Sequence, residues 1–393
     1  MNEGSDAGRR VVLGDVAINS TAVSVDPEAE GYERYIIGKH IPENGDRVDT
    51  WGPVGDSDFG PRIRTIFQPG DVICTTRGPN LKVARVEFKG LGAHTNFVLR
   101  TVDSEVMIQP YLEAVVRSDG FQQHLVNNFR GSVNLFVNWS DAAKYEFDLP
   151  PMDEQWRVVE VLRSVNRFTE SLIQLRTSAG ATLDSAASQR FSELGGYPTA
   201  QLGEICATKP HGGVYKSQKF RGHGVPMVNM AELFGNDVVH SGLLMERIEL
   251  TETELQRYQL LANDLLFGRR SMVLEGAGRC VLVGELAGSV VFESSVLRAT
   301  IDRHLADPRF VFEWLRSPLG HQQIRRIVTF TTVSGVAGSD VARLPVPLPP
   351  IALQRTIARE LSQLRAPVDL PLERIEQSKK LSKAILDRAV EMR

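Results

Sequence analysis

Leu149-Pro150-Pro151-Met152-Asp153-Glu154-Gln155 returns later in the chain as Leu348-Pro349-Pro350-Ile351-Ala352-Leu353-Gln354. The offset is 348 − 149 = 199 residues. Both copies lead into a long stretch of helical character. A repeat on this scale sets the architecture, so it is read before any single element. Earlier landmarks recur in the same order. Leu13-Gly14-Asp15-Val16 matches Leu202-Gly203-Glu204-Ile205, and Gly70-Asp71-Val72-Ile73 matches Asn263-Asp264-Leu265-Leu266. Thr76-Arg77 falls near Arg269-Arg270, and Phe97-Val98-Leu99-Arg100 matches Ser295-Val296-Leu297-Arg298. Tyr111-Leu112 and Ser118-Asp119-Gly120 match Phe310-Val311 and Ser317-Pro318-Leu319-Gly320. Kept order with drifting residues between landmarks describes two copies of one fold with different loops.

Working outward, the first copy is mixed. Val72-Ile73-Cys74-Thr75 and Val83 to Phe88 read as strands, with turns at Pro79-Asn80 and Lys89-Gly90-Leu91-Gly92. Pro110 to Asn128 reads as one helix. The second copy repeats this with strands at Val281-Leu282-Val283 and Val290-Val291-Phe292. Its helix runs from Phe310 to Val328, opened by an Asp307-Pro308 cap. The segment from Asp153 to about Phe191 lacks proline. Val158, Val161, Leu162, Val165, Phe168, Leu172 and Leu175 form an apolar stripe along it at spacings of three and four. At about 1.5 Å per residue such a helix spans roughly 50–60 Å, and one apolar stripe needs a partner. Ile357, Leu361, Leu364, Leu372, Ile375, Leu381, Ile385 and Ala389 supply a second stripe. Pro367 and Pro371 predict a break in it, with a new helix from about Leu370 to Glu391. The expected fold class is α+β, with two similar mixed globular domains and two long antiparallel, coiled-coil-like helices. The expected domains are 1–151, a central helical spacer 152–196, a second globular domain 197–350 and a C-terminal helical spacer 351–393.

The chain resembles the specificity subunits of type I restriction-modification systems. The resemblance rests on Leu344-Pro345-Val346-Pro347-Leu348-Pro349-Pro350 followed by Gln354-Arg355-Thr356-Ile357, on Gly224-Val225-Pro226-Met227-Val228-Asn229, and on Asp264-Leu265-Leu266-Phe267. It covers nearly the whole chain. The first copy departs most, with Tyr145-Glu146-Phe147-Asp148 where the second has extra prolines. The resemblance implies two target-recognition domains, paired helices, and recognition of an asymmetric bipartite duplex site without catalysis by this chain. The implied partners are double-stranded DNA, two adenine-methyltransferase subunits that bind S-adenosylmethionine, and a motor-endonuclease subunit. This chain is expected to hold no cofactor and no metal itself.

Composition agrees with a globular protein of two or three domains: 393 residues, 42% hydrophobic and 24% charged. There is no apolar run of membrane-spanning length and no signal-peptide core at Met1-Asn2-Glu3-Gly4-Ser5-Asp6. Cys74, Cys206 and Cys280 offer neither metal spacing nor a disulfide framework, and the expected compartment is the cytoplasm. A net charge of −3 counts against a protein that merely coats DNA, but not against one whose cations gather on one face.

Reading base edges takes Arg, Lys, Asn, Gln, Ser or Thr, and phosphates take positive charge and free donors. The first copy clusters Arg62, Arg64, Arg77, Asn80 and Lys82, and the second Lys209, Lys216, Lys219, Arg221, Arg269 and Arg270. Thr331-Thr332-Val333-Ser334-Gly335 is a polar loop suited to a DNA backbone. Trp156, Val159 and Arg163 are candidates for packing against a partner subunit. Asp71 with Glu87-Phe88-Lys89 imitates the acids and lysine of a metal-dependent nuclease. The second copy, with Glu285-Leu286-Ala287, lacks that lysine. No phosphate-binding Gly-Lys loop, dinucleotide fingerprint, adenine-methyltransferase motif or paired histidine ligands occur. The alternatives to a DNA-reading subunit are therefore a divergent nuclease and a duplicated protein-interaction scaffold.

Overall fold

The computed structural model describes residues 8–43, 45–78, 81–132, 134–271, 276–329 and 334–390. The chain forms two compact units, residues 1–172 with 373–393, and residues 173–372.

In unit 1 the strand Arg9–Val12 pairs antiparallel with Glu146–Leu149. A four-stranded sheet follows in the order Ala17–Asn19, Asn96–Thr101, Val72–Thr75, Val83–Arg85. All four residues of Val72–Thr75 are buried, as befits a central β-rich strand covered on both faces. A second sheet runs Gly52–Pro53, Arg34–Ile36, Gly90–Ala93, Ile63–Phe67. Gly90 to Gly92, expected as a turn, lies in that strand. Phe67 and the Arg34 carbonyl crowd Gly90 so closely that a Cβ would stand 2.6 and 2.7 Å from them.

Unit 2 repeats the plan. Thr199–Gln201 pairs with Pro345–Pro347, and a five-stranded sheet runs Cys206–Gly212, Val296–Ile301, Leu265–Gly268, Cys280–Val283, Val238–Val239. A smaller sheet runs Glu246–Ile248, Arg221–Val228, Val291–Phe292. The second sheet of each unit holds one parallel pair, with Tyr35 opposite Leu91 and Met227 opposite Val291.

The single helix expected after each large sheet is two helices. Gln109–Arg117 is followed by Asp119–Asn127, and Pro308–Arg316 by Pro318–Ile327. Ser118 and Ser317 are the breaks. Each is extended (ψ 149° and 158°), and each hydroxyl accepts from a backbone N–H of the next helix, that of Phe121 or Gly320. Asp307 caps its helix as expected, accepting from the N–H groups of Arg309 and Phe310.

The two long helices are Met152–Ser192 and Ile351–Val390. The second is continuous through Pro367 and Pro371, correcting the expected break. Each proline removes one backbone donor, and Leu361 and Arg365 before them and Ile375 after them are buried. Packing on both sides thus outweighs local propensity. Within unit 1, Asn166 meets Ser382, while the earlier Val158, Val159 and Leu162 share a core with the later Ile385, Leu386, Ala389 and Val390. The two helices therefore run in opposite directions there. In unit 2, Leu183, Ala187 and Phe191 share a core with Ile357, Ala358 and Leu361. Arg190 donates to Glu360 through Nη2 and Nε at 2.6 and 2.9 Å. Each long helix is thus divided between the two compact units, its residues contributing to the core of each.

The repeated glutamine explains itself. Gln155 and Gln354 are each 1% exposed. Gln155 Oε1 accepts from Ile108 N at 3.0 Å, and its Nε2 donates to the carbonyls of Val106 and Pro150. Gln354 Oε1 accepts from Asp307 N at 2.9 Å, and its Nε2 donates to Pro349 O at 2.8 Å. Each amide closes the backbone groups that proline and the next helix start leave open. Gln354→Leu is expected to destabilise the protein by about 2 kcal/mol, because it strands a buried donor and a buried acceptor. Chemical denaturation with an unchanged m-value checks this.

Candidate nucleic-acid interface

In unit 1 the buried strand Val72–Thr75 continues to Thr76, whose N–H and hydroxyl both donate to the Thr95 carbonyl at 3.1 and 2.7 Å. The adjacent His94 N–H donates to the Arg62 carbonyl at 3.1 Å. On the other side Arg77 lies opposite Phe136 in an antiparallel bridge. Phe136 in turn exchanges backbone hydrogen bonds with Arg130 at 2.8 and 3.0 Å. Arg62, His94, Arg77 and Arg130 thus stand along one backbone rim, and all four are exposed.

Unit 2 builds the same rim. Arg269 N–H donates to the Ser295 carbonyl at 2.8 Å, as Thr76 does to Thr95. Arg270 lies opposite Gly335, and Gly335 exchanges backbone hydrogen bonds with Thr329 at 3.0 and 3.2 Å. Arg77 and Arg270 therefore occupy one position of the repeated fold, as do Arg130 and Thr329. Thr331 and Thr332, and Asn80 in the first copy, lie outside the described residues. Ser334 is corrected to a flank of its loop, for it is 9% exposed and its backbone pairs with Ser271.

The cations divide sharply. Among the described residues, Arg62, Arg77, Lys209 and Arg270 have no side-chain partner and are exposed. Lys219 is exposed, its ammonium 4.9 Å from the Phe220 ring centre. The other described candidates make contacts within the protein. Arg64 donates to the Val25 carbonyl at 2.6 Å. Lys82 reaches Glu43 and the Gly38 carbonyl, each at 3.5 Å. Lys216 pairs with Glu254 at 2.7 Å, and Arg221 with Glu246 and Glu293 at 2.6 and 3.3 Å. Arg269 donates to the Ser294 carbonyl at 3.4 Å. A cation already paired with a carboxylate, as Lys82, Lys216 and Arg221 are, must break that pair before meeting a phosphate, a cost that Arg62, Arg77, Lys209 and Arg270 do not carry.

The first copy's loop between Arg130 and Phe136 was missed in the sequence. Shifting Thr331 to Ser334 back by the offset of 199 lands on it. Its Ser132 and Asn134 are exposed. Arg130 pairs with Asp141 at 2.6 Å. Burial opposes ionisation of Asp141, but Lys144 and Arg130 outweigh it and hold the carboxyl below its ordinary pKa. Behind the second rim, burial pushes His211 below its usual value, with Arg298 adding to the effect. The neutral ring gives its Nδ1 proton to the Gly212 carbonyl and accepts from Arg298 at Nε2, 3.1 Å away.

The nuclease arrangement does not assemble. Asp71 is 4% exposed, and its two oxygens take Arg100 Nε and Nη2 at 2.5 and 2.7 Å. Oδ2 also accepts from the Gln68 N–H at 2.7 Å. Glu87 is paired with Arg85 at 2.7 Å, and Lys89 lies over the Tyr32 ring at 5.7 Å. The second copy treats Asp264 alike: it accepts from the Thr300 hydroxyl and the Leu261 N–H at 2.6 and 2.8 Å, with Arg298 at 4.0 Å. No metal-holding group of His, Cys, Asp and Glu occurs among the described residues. No helix among them is long and apolar enough to cross a membrane.

Of the partner candidates, Trp156 is 45% exposed and Arg163 is exposed. Val159 is corrected to core: it is 3% exposed and packs within unit 1.

No family model matches the chain. It is 26% identical over 272 residues to the EcoKI type I restriction enzyme specificity subunit of Escherichia coli (strain K12), spanning 62% of this chain and 57% of that protein. The chain thus spans under two thirds of that relative's length. In fold it matches the type I restriction-modification S subunit from M. genitalium with a TM-score of 0.57 at 12% identity, covering 100% of this chain and 99% of that one. It also matches a chain from a structure of type I restriction-modification complex assembly and conformational transition, with a TM-score of 0.53 at 19% identity and full coverage of both. In sequence and in fold, then, this chain resembles the specificity subunits of type I restriction-modification systems.

Proposed function

We propose that the chain is the DNA sequence-specificity subunit of a type I restriction-modification complex, with each unit reading one half of an asymmetric bipartite duplex site. One observation carries this reading. Two units of dissimilar surface present an uncommitted arginine, Arg77 or Arg270, at the same place on the same three-stranded rim. Matching position with differing neighbours suits two readers of different sequence. The chain performs no catalysis in this reading. Adenine methylation belongs to two partner methyltransferase subunits that bind S-adenosylmethionine, and cleavage to a motor-endonuclease subunit.

The test is expression of the chain with its methyltransferase partners, followed by mapping of methylated adenines. Methylation confined to one bipartite sequence, and lost without this chain, is the expected result. Methylation independent of the chain, together with no binding of duplex DNA by the assembled complex, would sink the proposal.

Trp156, Val161 and Phe168 leave 45%, 43% and 51% of their surfaces exposed on the first half of the central helix. Exposed aromatics among aliphatics suit a protein interface, and anchors of this kind dominate binding. Trp156→Asp is expected to weaken co-purification of a methyltransferase subunit by about ten- to a hundredfold. Its melting temperature should stay unchanged, since the side chain lies outside the core.

A further inference from the structure

The two globular regions are tied to the long helices in different ways. In unit 2, Arg365 of helix Ile351–Val390 keeps only 9% of its side chain exposed. Its Nε and Nη2 donate to the two oxygens of Glu313 at 3.1 and 2.5 Å, and its Nη1 to Asp237 at 2.9 Å. Asp237 also takes Arg316 and Arg279, each at 2.8 Å. Glu313 is 2% exposed, and the Arg365 guanidinium lies 5.0 Å from the Phe312 ring centre.

The repeat allows the same place to be found in unit 1. The offset of 199 carries Arg365 to Asn166 and Arg316 to Arg117. Asp46 stands for Asp237, since its carbonyl accepts from Arg85 N–H at 2.8 Å as that of Asp237 does from Leu282 N–H at 3.1 Å. Arg85 and Leu282 hold equivalent positions, opposite Val72 and Leu265 in their sheets. At this seam, among the described residues, unit 1 has Asn166 donating to Asp46 at 3.4 Å in place of the guanidinium. The same offset puts Ala114 in the place of Glu313, so no carboxylate stands there, and the neighbouring Glu113 is satisfied from within its own globular region by Arg85 and Arg117 at 3.0 and 3.3 Å. The other polar ties of unit 1 to its helices are neutral or wet. Tyr111 donates to the Ala389 carbonyl at 2.8 Å, and Asp387 accepts from Asp119 N–H at 2.8 Å. Lys383 pairs with Asp119 at 2.8 Å with side-chain exposures of 61% and 58%.

A bidentate guanidinium–carboxylate pair removed from water resists separation, because opening strands unpaired charge in a low dielectric. An exposed pair opens easily and is screened by salt. We propose that Arg365 is the anchoring residue that fastens the second globular region to its helix, and that the first, lacking this anchor, works loose from its helix first. The inference goes beyond the proposed function and stands without it.

Hydrogen–deuterium exchange on the full chain tests it. Amides of Pro308–Arg316 are expected to show protection at least about tenfold greater than those of Gln109–Arg117, with the gap widening at high salt. Arg365→Asn should bring the unit 2 seam close to the unit 1 value and leave unit 1 unchanged. Asn166→Arg, which offers Asp46 a guanidinium, should raise protection in Gln109–Arg117. Equal protection in the wild-type chain, or loss in both units alike on Arg365→Asn, overturns the proposal. If Arg365→Asn does not fold, Asn166→Arg decides, and no gain there overturns it.

Discussion

The double substitution Arg77→Ala/Arg270→Ala is expected to abolish site-specific methylation by the assembled complex while leaving both units folded. Each arginine is exposed and its side chain has no partner among the described residues, so its removal leaves the backbone pairing of the rim in place. A lost base contact costs about 1–3 kcal/mol, or roughly ten- to a hundredfold in affinity for each site. The single substitutions separate the two halves. Arg77→Ala should weaken discrimination in one half of the target and Arg270→Ala in the other. If an arginine touches phosphate instead, its loss lowers affinity uniformly across sequences and reduces the salt slope by about 1. Binding titrations at several salt concentrations, on duplexes altered in one half at a time, distinguish these results. Wild-type affinity and specificity in the double variant would refute the role given to the rim.

Asp71→Ala is expected to lower stability by about 3 kcal/mol, the low end for breaking a buried ion pair, because Arg100 keeps access to water. The Asp71 side chain is 5% exposed and that of Arg100 31%. Both carboxylate oxygens are engaged by Arg100, and one also holds the Gln68 N–H that shapes the turn before the strand. A shift in the denaturation midpoint measures the effect. A nuclease would instead lose magnesium-dependent cleavage at unchanged stability, so one variant separates the two readings. Asp264 fills the same place in the second copy, where no lysine follows the strand.

Much of the fold could be read from residue order alone, because duplicated landmarks need no knowledge of tertiary contacts. The Leu-Pro-Pro-Gln segments, the two long helices and the buried strand at Val72–Thr75 all announced themselves through pattern. Other features turned on contacts distant in sequence. Ser118 and Ser317 broke helices whose apolar spacing ran straight through them. Pro367 and Pro371 failed to break one, since buried neighbours on both sides hold it. The exposure and ion pairing of the candidate site residues turn on tertiary contacts, and neither is written in composition. Arg221 and Lys216 looked as promising as Arg270 until their carboxylate partners came into view. Val159 looked like a surface residue because one apolar stripe served both core and exterior. The loop at Ser132 and Asn134 could have been found by carrying the 199-residue offset through every polar segment.

The way each unit draws on the chain has a consequence for biosynthesis. Unit 2 is one uninterrupted stretch, Ile173–Leu372, whereas unit 1 needs residues beyond Glu373, made after all of unit 2. Ala389 and Val390 lie in the unit 1 core beside Tyr111 and Leu112. On the ribosome, therefore, the region translated first must wait half-built while its neighbour matures, and a nonsense codon late in the message would cripple the N-terminal unit.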